Sequence, residues 1–343
     1  MRHIIIFLIC LIAGCHNLFS QDINYSVEKI WDNGKHCAFT SLIKYKGNYY
    51  CSFREGESHI FDSKGEANGK VRILQSPDGN RWESVALIGK QGFDLRDPKL
   101  SITPDGRLMV IIGGSIYRNK ALKAQRPQVL FSSDGKNFSE PQDVELEEPS
   151  PNNKDWIWRV TWHNGTGYSI VYSMGGSNEA TVRLAATTDG IHFKYITSPF
   201  EITGFPNEAT VRFLGDSMYG IVRREKDGAQ AYWGRSEPPY TKWEWQKMDI
   251  QVGGPDFIAI EPDLFILGTR SYYIPRRNKT ILLTGNEKGI FEERIVLPSG
   301  ADCSYPGLLI EGDELWVSYY SGHGSKNCSI YFAKIPLKLL KSY

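Results

Sequence analysis

Apolar and polar positions alternate in short runs along most of the chain, and each run ends at residues that favour turns. Stretches such as AFTSLIKY, NYYCSFREG and VRILQS are separated by links that contain Gly, Asp or Asn. Helical periodicity is sparse throughout. The pattern therefore predicts an all-β fold built from many short strands joined by tight turns.

One turn sequence is repeated three times, as SPDGNRWES, SSDGKNFSE and TTDGIHFKY. Asp78, Asp134 and Asp189 follow one another at intervals of 56 and 55 residues, and each precedes a Gly that is followed three residues later by an aromatic residue. A fixed period of this size is typical of propellers and solenoids. Because Asp accepts local amide N–H groups and Gly adopts positive φ, we interpret these aspartates as structural and not catalytic.

The repeat divides the chain into six units of about four strands each. Their first strand pairs are AFTSLIKYKGNYYCSFREG, DPKLSITPDGRLMVIIGG, WIWRVTWHNGTGYSIVYSM, NEATVRFLGDSMYGIVRRE, DFIAIEPDLFILGTRSYYI and SYPGLLIEGDELWVSYYSG. The last unit supplies three strands only, and INYSVEKIW near the start of the chain can supply the fourth. Since ring closure protects strand edges, we predict one six-bladed β-propeller over residues 22–343, closed by this N-terminal outer strand. A monomer is expected.

Residues 1–21 are predicted to be a signal peptide, because a basic start precedes an apolar run, Ile4–Gly14, that is too short to span a bilayer. The letters IAGC resemble the bacterial lipoprotein box, in which Cys15 would carry a lipid anchor to the membrane. Cleavage near Ser20 would instead release a soluble protein. The chain is thus expected to be exported, as a periplasmic or cell-surface lipoprotein or in secreted form.

Charge and cysteine content narrow the possible partners. Forty Lys and Arg residues balance 39 Asp and Glu residues, so the chain has no basic surplus for nucleic acid or for an anionic membrane. The cysteines of the folded part match no zinc spacing, and the hairpin register does not suggest a Cys37–Cys51 disulfide. We expect no metal and no cofactor.

In a propeller the innermost strands converge on the central axis, so polar residues at their ends face one another across a funnel. The ends of the predicted inner strands are unusually charged. Charges crowded into a cleft indicate a ligand site more often than packing. The candidates are Arg54, Glu55, Arg96, Asp97, Arg159, Glu208, Arg223, Arg224, Arg270, Asp302 and Tyr305.

The ordered set of Glu208 in NEATVRF, Arg223 fifteen residues later, Arg270, and Tyr305 in SYPGLL resembles the sialidase (neuraminidase) superfamily. The resemblance extends over essentially the whole mature chain. It implies that Tyr305 is the nucleophile, that Glu208 is its base, and that Arg223 and Arg270 bind a substrate carboxylate. It also implies that Asp97 contacts a substituent of a glycan substrate.

This chemistry is physically reasonable, because a phenol has a pKa of about 10 and needs an adjacent carboxylate to act as a nucleophile at neutral pH. An ionised Asp nucleophile would be repelled by a carboxylate on the anomeric carbon, whereas a neutral phenol would not. Guanidinium groups suit a carboxylate because they bind both oxygens at once.

The chain also departs from the family pattern. His36-Cys37-Ala38 stands where the first substrate-binding arginine would be, and we expect Arg54 or Arg159 to replace that arginine from a neighbouring strand. The loop GESHIFDSKGEANG offers His59 and Asp62 as the acid/base. We prefer His59, which lies nearer the strand end and can donate a proton at neutral pH, although Asp62 matches the family's residue type.

The sequence thus favours an exported, metal-independent, retaining exo-glycosidase that removes a terminal, acidic sugar such as sialic acid. One alternative is a glycosidase or lyase that uses His59 on a different acidic glycan. A second alternative is a glycan-binding propeller without turnover, which the missing arginine favours.

Overall fold

The computed structural model describes residues 24–175, 179–275, 277–324 and 326–341. These residues form six β-sheets, arranged as the blades of a propeller. The predicted signal peptide and the lipidation site Cys15 lie outside the described residues. Within the described ranges, helices of the length and apolar character needed to cross a bilayer are absent.

The strands are short, as the alternating pattern predicts. In chain order they are β1 Ser26–Trp31, β2 His36–Tyr45, β3 Asn48–Gly56, β4 Lys70–Ser76, β5 Glu83–Ile88, β6 Asp94–Ile102, β7 Leu108–Arg118, β8 Ala121–Gln125, β9 Gln128–Ser132, β10 Gln142–Asp143, β11 Glu145–Leu146, β12 Asp155–Ile157, β13 Thr161–His163, β14 Thr166–Met174, β15 Ala180–Thr187, β16 His192–Tyr195, β17 Pro206–Leu214, β18 Ser217–Arg224, β19 Gln230–Ser236, β20 Glu244–Gln251, β21 Asp256–Glu261, β22 Leu264–Ser271, β23 Lys279–Gly285, β24 Phe291–Val296, β25 Cys303–Glu311, β26 Glu314–Ser321 and β27 Ser329–Pro336. A 3₁₀ turn, Leu337–Leu339, follows the last strand.

Each blade is an antiparallel sheet whose first strand is innermost. The blades are β2-β3-β4-β5, then β6-β7-β9-β10, then β12-β14-β15-β16, then β17-β18-β19-β20, then β21-β22-β23-β24, and finally β25-β26-β27-β1. In the last blade β1 pairs with β27, with Val27 opposite Ala333. The six-bladed fold and its closure by an N-terminal outer strand are therefore confirmed.

Blades two and three are more elaborate than a simple four-strand unit. Strand β8 adds to β7, and β11 pairs in parallel with β16 on the outer edge of blade three. The inner strand of blade three is interrupted between β12 and β13. At this break the buried Trp158 packs on Tyr305, and the buried Arg159 pairs with Asp256 of blade five.

The repeated Asp-Gly turns of blades one, two and three pack against the blade before each of them. Asp134 accepts the backbone N–H groups of the residues two and three positions ahead, both at 2.8 Å, and Asp78 and Asp189 do the same. Gly135 has a φ of +75°, and a Cβ there would lie 2.1 Å from the Tyr50 hydroxyl of the preceding blade. The aromatics that follow pack in hydrophobic clusters with residues of the preceding blade, and the Trp82 ring lies against Phe332; these aromatics are Trp82, Phe138 and Phe193.

Irregular backbone marks the start of several inner strands. The ladders of β2, β6, β17 and β25 each shift register there. Phe39, Asp97 and Tyr305 lie in these shifts with φ values of +68°, +49° and +50°, and Gly254 has +57° just before β21. A β-bulge re-aims a side chain, and strained residues of this kind cluster at functional sites.

All four cysteines in the described ranges are buried and free. In the first hairpin Cys51 lies opposite Leu42, which is the register that excludes a bridge to Cys37. The predicted register of this hairpin, which does not pair Cys37 with Cys51, is confirmed.

Candidate active site

The re-aimed side chains meet in a cavity of about 450 Å³ at one end of the ring, which we call the front cavity. All six blades contribute to it. Its polar and aromatic lining includes Phe39, His59, Arg96, Asp97, Trp156, Tyr172, Asn207, Glu208, Arg223, Glu225, Arg270 and Tyr305.

A tyrosine and a glutamate form the centre of the cavity floor. The Tyr305 hydroxyl donates to Glu208 Oε1 at 2.7 Å, and both residues are buried. Arg223 Nη1 donates to the Tyr305 hydroxyl at 3.1 Å and also bonds Glu208 Oε2. Burial, and then the negative charge of Glu208, raise the pKa of Tyr305 well above its ordinary value. The phenol therefore keeps its proton in the free protein, and Glu208 is the acceptor in position to remove it.

Close packing fixes the Tyr305 ring. The rings of Phe39 and Trp158 lie with centroids 5.0 Å and 5.5 Å from it, and the Arg270 guanidinium lies 5.2 Å from its centroid. At Gly254 a Cβ would lie 2.3 Å from Tyr305 Cγ, so the backbone there can approach the ring only without a side chain.

Arg270 is anchored on one side and lines the cavity with the other. Its Nε and Nη2 donate to the Cys303 carbonyl oxygen at 2.9 Å and 2.7 Å, and Nη2 also contacts the Tyr320 hydroxyl at 2.8 Å. The same Nη2 lies 3.2 Å from Asp302 Oδ1. Arg223 is held similarly, with Nη2 3.1 Å from Glu225 Oε1. Fixed guanidinium groups lose little entropy on binding an anion.

Asp302 connects two histidines to this arginine. His59 Nδ1 lies 2.7 Å from Asp302 Oδ2, and His36 Nε2 lies 3.1 Å from the same oxygen. Burial alone would raise the pKa of the Asp302 carboxyl, but the hydrogen bonds from His36 and His59 outweigh it and hold that pKa well below its ordinary range. Because Nδ1 faces Asp302, the other ring nitrogen of the cavity-lining His59 is left for a ligand.

The same three side chains are the group among the described residues that could hold a metal ion. One ligand atom from each of His36, His59 and Asp302 lies within 4.8 Å of the others. Direct hydrogen bonds already account for these short distances, so the cluster has an explanation without an ion.

Asp97 is a buried carboxyl with an unused oxygen. Its Oδ1 has no hydrogen-bond partner among the described residues. Burial raises the pKa of Asp97 to about 6, although Lys99 and Arg96 oppose the shift. Burial, and then Arg159, lower the pKa of Lys99 to about 7. A carboxyl of this kind is unusual outside functional sites.

The structure brings seven of the predicted site residues into the front cavity, namely His59, Arg96, Asp97, Glu208, Arg223, Arg270 and Tyr305. Asp62 is not among the lining residues, because its carboxylate accepts the backbone N–H groups of Lys64 and Glu66 within its own loop. The expectation that Asp62 offers an acid to the cavity is therefore corrected.

Neither candidate replacement for the first arginine is in place. Arg54 is 1% exposed and its Nε and Nη2 bind Asp94 at 2.9 Å and 2.8 Å, so it is a structural ion pair. Arg159 lines a different cavity, at the opposite end of the ring, where Nη1 lies 3.3 Å from Asp256 Oδ2. The prediction that Arg54 or Arg159 substitutes for that arginine is wrong.

The sequence did not indicate that Asp302, His36 and His59 contact one another. Asp302 is one of the charged residues at strand ends, but its contacts with His36 and His59 join positions more than 240 residues apart. The position of Asp302 three residues before Tyr305 is the signal that could have indicated it.

Comparison with known proteins agrees with the fold. No protein-family model matches the sequence, and no curated protein matches it. A protein of unknown function from Dyadobacter fermentans DSM 18053 is 22% identical, with a TM-score of 0.75, over 90% of this chain and 99% of that one. Trypanosoma rangeli sialidase in complex with the inhibitor DANA is 12% identical, with a TM-score of 0.70 over 88% of this chain.

A third structure, the NanB sialidase from Streptococcus pneumoniae, is 9% identical with a TM-score of 0.66, over 92% of this chain and 71% of that one. The chain spans about 55% of the Trypanosoma rangeli sialidase chain. At these identities the likeness is one of fold. The protein is therefore a divergent six-bladed propeller of the sialidase fold.

Proposed function

We propose that the protein is a retaining exo-glycosidase of the sialidase type, which removes a terminal, acidic sugar from a glycan. The observation that carries the proposal is the 2.7 Å hydrogen bond from the Tyr305 hydroxyl to Glu208, with Arg223 on both groups, at the floor of the front cavity. A nucleophile within hydrogen-bond distance of its base is the arrangement that covalent catalysis needs.

In the first step Glu208 takes the phenolic proton while the Tyr305 oxygen attacks the anomeric carbon. The bond from that carbon to the glycosidic oxygen breaks, and the departing oxygen receives a proton from His59. In the second step His59 removes a proton from water, which attacks the anomeric carbon. The Tyr305 oxygen leaves and recovers its proton from Glu208. Two displacements at one carbon retain its configuration.

His59 suits the acid/base role because a third group orients it. The contact of Nδ1 with Asp302 at 2.7 Å fixes the imidazole and stabilises the positive charge that it carries before it donates. Asp302 itself remains ionised, since its pKa is held well below the ordinary value. The imidazole is exposed at the cavity wall, where a leaving group has access to solvent.

Arg270 and Arg223 support an acidic sugar, because they are the guanidinium groups beside Tyr305. A volume of about 450 Å³ suits one sugar unit, which favours action at a chain end. A Trypanosoma rangeli sialidase of the same fold has been solved in complex with sialic acid. That complex supports a glycan as the partner of the present chain.

Kinetics of Tyr305→Phe and Glu208→Gln on a panel of aryl glycosides, including sialosides and uronides, test the proposal. We expect kcat to fall about 10³-fold in each variant, since either change removes the activated nucleophile. Tyr319→Phe is the matched control, because the Tyr319 hydroxyl donates to the Pro298 carbonyl oxygen and neither residue lines the front cavity. Wild-type activity in both site variants would eliminate the mechanism.

A glycan-binding propeller without turnover is the second candidate. His36 stands where the first substrate-binding arginine is expected, and the buried Arg54 and Arg159 do not replace it. Calorimetry that shows tight binding of an oligosaccharide, recovered intact after long incubation, would select this function. A rise in ultraviolet absorbance would instead identify an unsaturated product and a lyase that uses His59.

The location of the protein follows from residues outside the described structure. We propose that it is exported and that Cys15 carries a lipid. Mass spectrometry of the mature N-terminus tests this directly. A diacylated Cys15 supports an anchored lipoprotein, whereas an unmodified N-terminus near Gln21 identifies a secreted protein.

A further inference from the structure

A second cavity of about 270 Å³ lies at the opposite end of the ring, and we call it the rear cavity. The same inner strands reach both cavities. Arg212 stands four residues beyond Glu208 on β17, and Ser101 stands four residues beyond Asp97 on β6. At a rise of about 3.3 Å per residue, the two sites are roughly 13 Å apart. The rear cavity is therefore separate from the proposed active site.

Positive charge exceeds negative charge in the rear cavity. Arg159 Nη1 lies 3.3 Å from Asp256 Oδ2, and Arg212 Nη2 bonds the other oxygen of the same carboxylate. In the described part of the chain, Asp256 is the acidic residue that pairs with either arginine. Lys99 lies close enough to Arg159 that burial, and then the positive charge of Arg159, lower the pKa of the Lys99 ammonium group to about 7. Two guanidinium groups thus share one carboxylate.

Arg159 also has donors that nothing accepts. It is 4% exposed, yet its Nε and Nη2 have no hydrogen-bond partner among the described residues. A buried donor without an acceptor costs about 1–3 kcal/mol, and more when it is charged. Burial lowers the pKa of Arg159 to about 10, with Asp256 opposing the shift and Arg212 adding to it. The guanidinium is therefore incompletely compensated by the protein itself.

The remaining polar groups favour an acceptor ligand as well. Ser101 Oγ accepts from Trp162 Nε1 at 3.2 Å, which leaves the Ser101 hydroxyl proton to donate. The Thr161 hydroxyl already donates to the Val211 carbonyl oxygen at 2.7 Å. The rest of the wall is largely apolar, and the volume lies below that of pockets for drug-sized ligands.

We propose that the rear cavity binds a small oxyanion, such as phosphate, sulfate or a carboxylate, through Arg159 with Arg212 and Ser101. A tetrahedral or planar oxyanion presents two or three oxygens, which suits the fork of a guanidinium group. The anion offsets the surplus charge where the inner strands converge, so it stabilises the folded ring. This site is independent of the proposed glycosidase function.

Thermal unfolding with inorganic phosphate as the probe, against potassium chloride at matched ionic strength, tests the proposal on the whole chain. We expect Tm to rise with phosphate concentration in the wild type and in Tyr305→Phe, but not in Arg159→Met. Arg235→Met is the control, because Arg235 is exposed and pairs with Glu237. Titration calorimetry should show phosphate binding weakened at least about tenfold in Arg159→Met.

Two further variants keep the test decisive if Arg159→Met folds poorly. Arg159→Lys retains the charge without the planar fork, so phosphate should bind more weakly than in the wild type. Asp256→Asn removes the competing carboxylate, so phosphate should bind more tightly. Sulfate and acetate titrations distinguish tetrahedral from planar anions. Equal stabilisation by phosphate and chloride, or unchanged phosphate affinity in the Arg159 variants, would overturn the assignment.

Discussion

Tyr305 and Gly254 illustrate how single residues shape the front cavity. Both have positive φ just before or within an inner strand, and each precedes a proline. The missing side chain at Gly254 leaves room for the Tyr305 ring, which in turn directs its hydroxyl to Glu208. The position of the proposed nucleophile therefore depends on Gly254, a residue without a side chain that takes no part in the reaction.

Gly254→Ala should lower both stability and activity. The new Cβ would overlap the Tyr305 ring, and alanine disfavours the φ of +57° at this position. We therefore expect the free energy of unfolding to fall by about 2–4 kcal/mol and kcat to fall as well. Gly92→Ala is the control, because Gly92 has a φ of +80° but no atom within 4 Å of the added Cβ. Urea denaturation and kinetics measure both effects. Equal losses in the two variants, with full activity in Gly254→Ala, would contradict this explanation.

The free energy of unfolding of Asp97→Asn should increase relative to that of the wild type as pH rises. The pKa of the Asp97 carboxyl is raised to about 6 in the folded protein, against about 3.9 in an unfolded chain. The stability that this group contributes is present at low pH and is lost as pH rises through 6. The free energy of unfolding of the variant, relative to the wild type, should therefore increase by about 2 kcal/mol between pH 4.5 and pH 7.5.

Urea denaturation at the two pH values measures this change, with Asp313→Asn as the control because Asp313 is exposed. A difference between Asp97→Asn and wild type that stays constant with pH, or that moves in the opposite direction, would show that Asp97 is not a buried charge in the folded state.

At the scale of elements, the repeated turn connects neighbouring blades and takes no part in the site. The carboxylate of Asp134 organises the turn by accepting two N–H groups, and Gly135 touches Tyr50 of the preceding blade. These contacts hold the pKa of Asp134 below its ordinary range, mainly through the backbone hydrogen bonds. The turns lie on the outer part of each blade, away from the front cavity.

Asp134→Ala should therefore reduce stability without affecting turnover. Loss of the two backbone hydrogen bonds should lower Tm, while kcat stays within about twofold of wild type. Asp249→Ala, at an exposed position on β20, is the matched control. Parallel denaturation and activity measurements decide the outcome. A large loss of kcat would mean that the turn affects the structure of the active site.

The period of the turns and the alternation of the strands made the blades predictable, because both depend on local sequence. The first hairpin, for example, has the register that its Lys46-Gly47 turn implies. The extra strand β8 and the parallel pairing of β11 were not predictable in this way, since they depend on the path of long connections between sheets.

The site was predictable only in part, for a similar reason. Resemblance in residue type and order indicated Tyr305, Glu208, Arg223 and Arg270, which do meet. It could not indicate that Arg54 would form a buried ion pair with Asp94, or that Arg159 would line the rear cavity. The outcome for Arg159 depends on which end of the inner strands a side chain occupies. Positions four residues apart on β17 line opposite cavities, as Glu208 and Arg212 show.

At the scale of the whole molecule, β1 closes the ring by pairing with β27 at the outer edge of the sheet whose opposite edge, β25, carries Tyr305. A variant that begins at residue 32 lacks β1 and leaves β27 as an open edge, so we expect a lower Tm and aggregation. A synthetic peptide of residues 24–32 should restore Tm by strand addition, whereas a scrambled peptide should not. Unchanged Tm in the truncated protein would mean that β1 is dispensable for closure.

Ring closure also brings Tyr305 of blade six to Glu208 of blade four, and a covalent intermediate on Tyr305 is the central claim. A fluorinated, activated glycoside of the hydrolysed sugar should trap that intermediate, and peptide mass spectrometry should find the sugar on Tyr305. Attachment to a different residue, or release of a product with inverted configuration, would contradict the account.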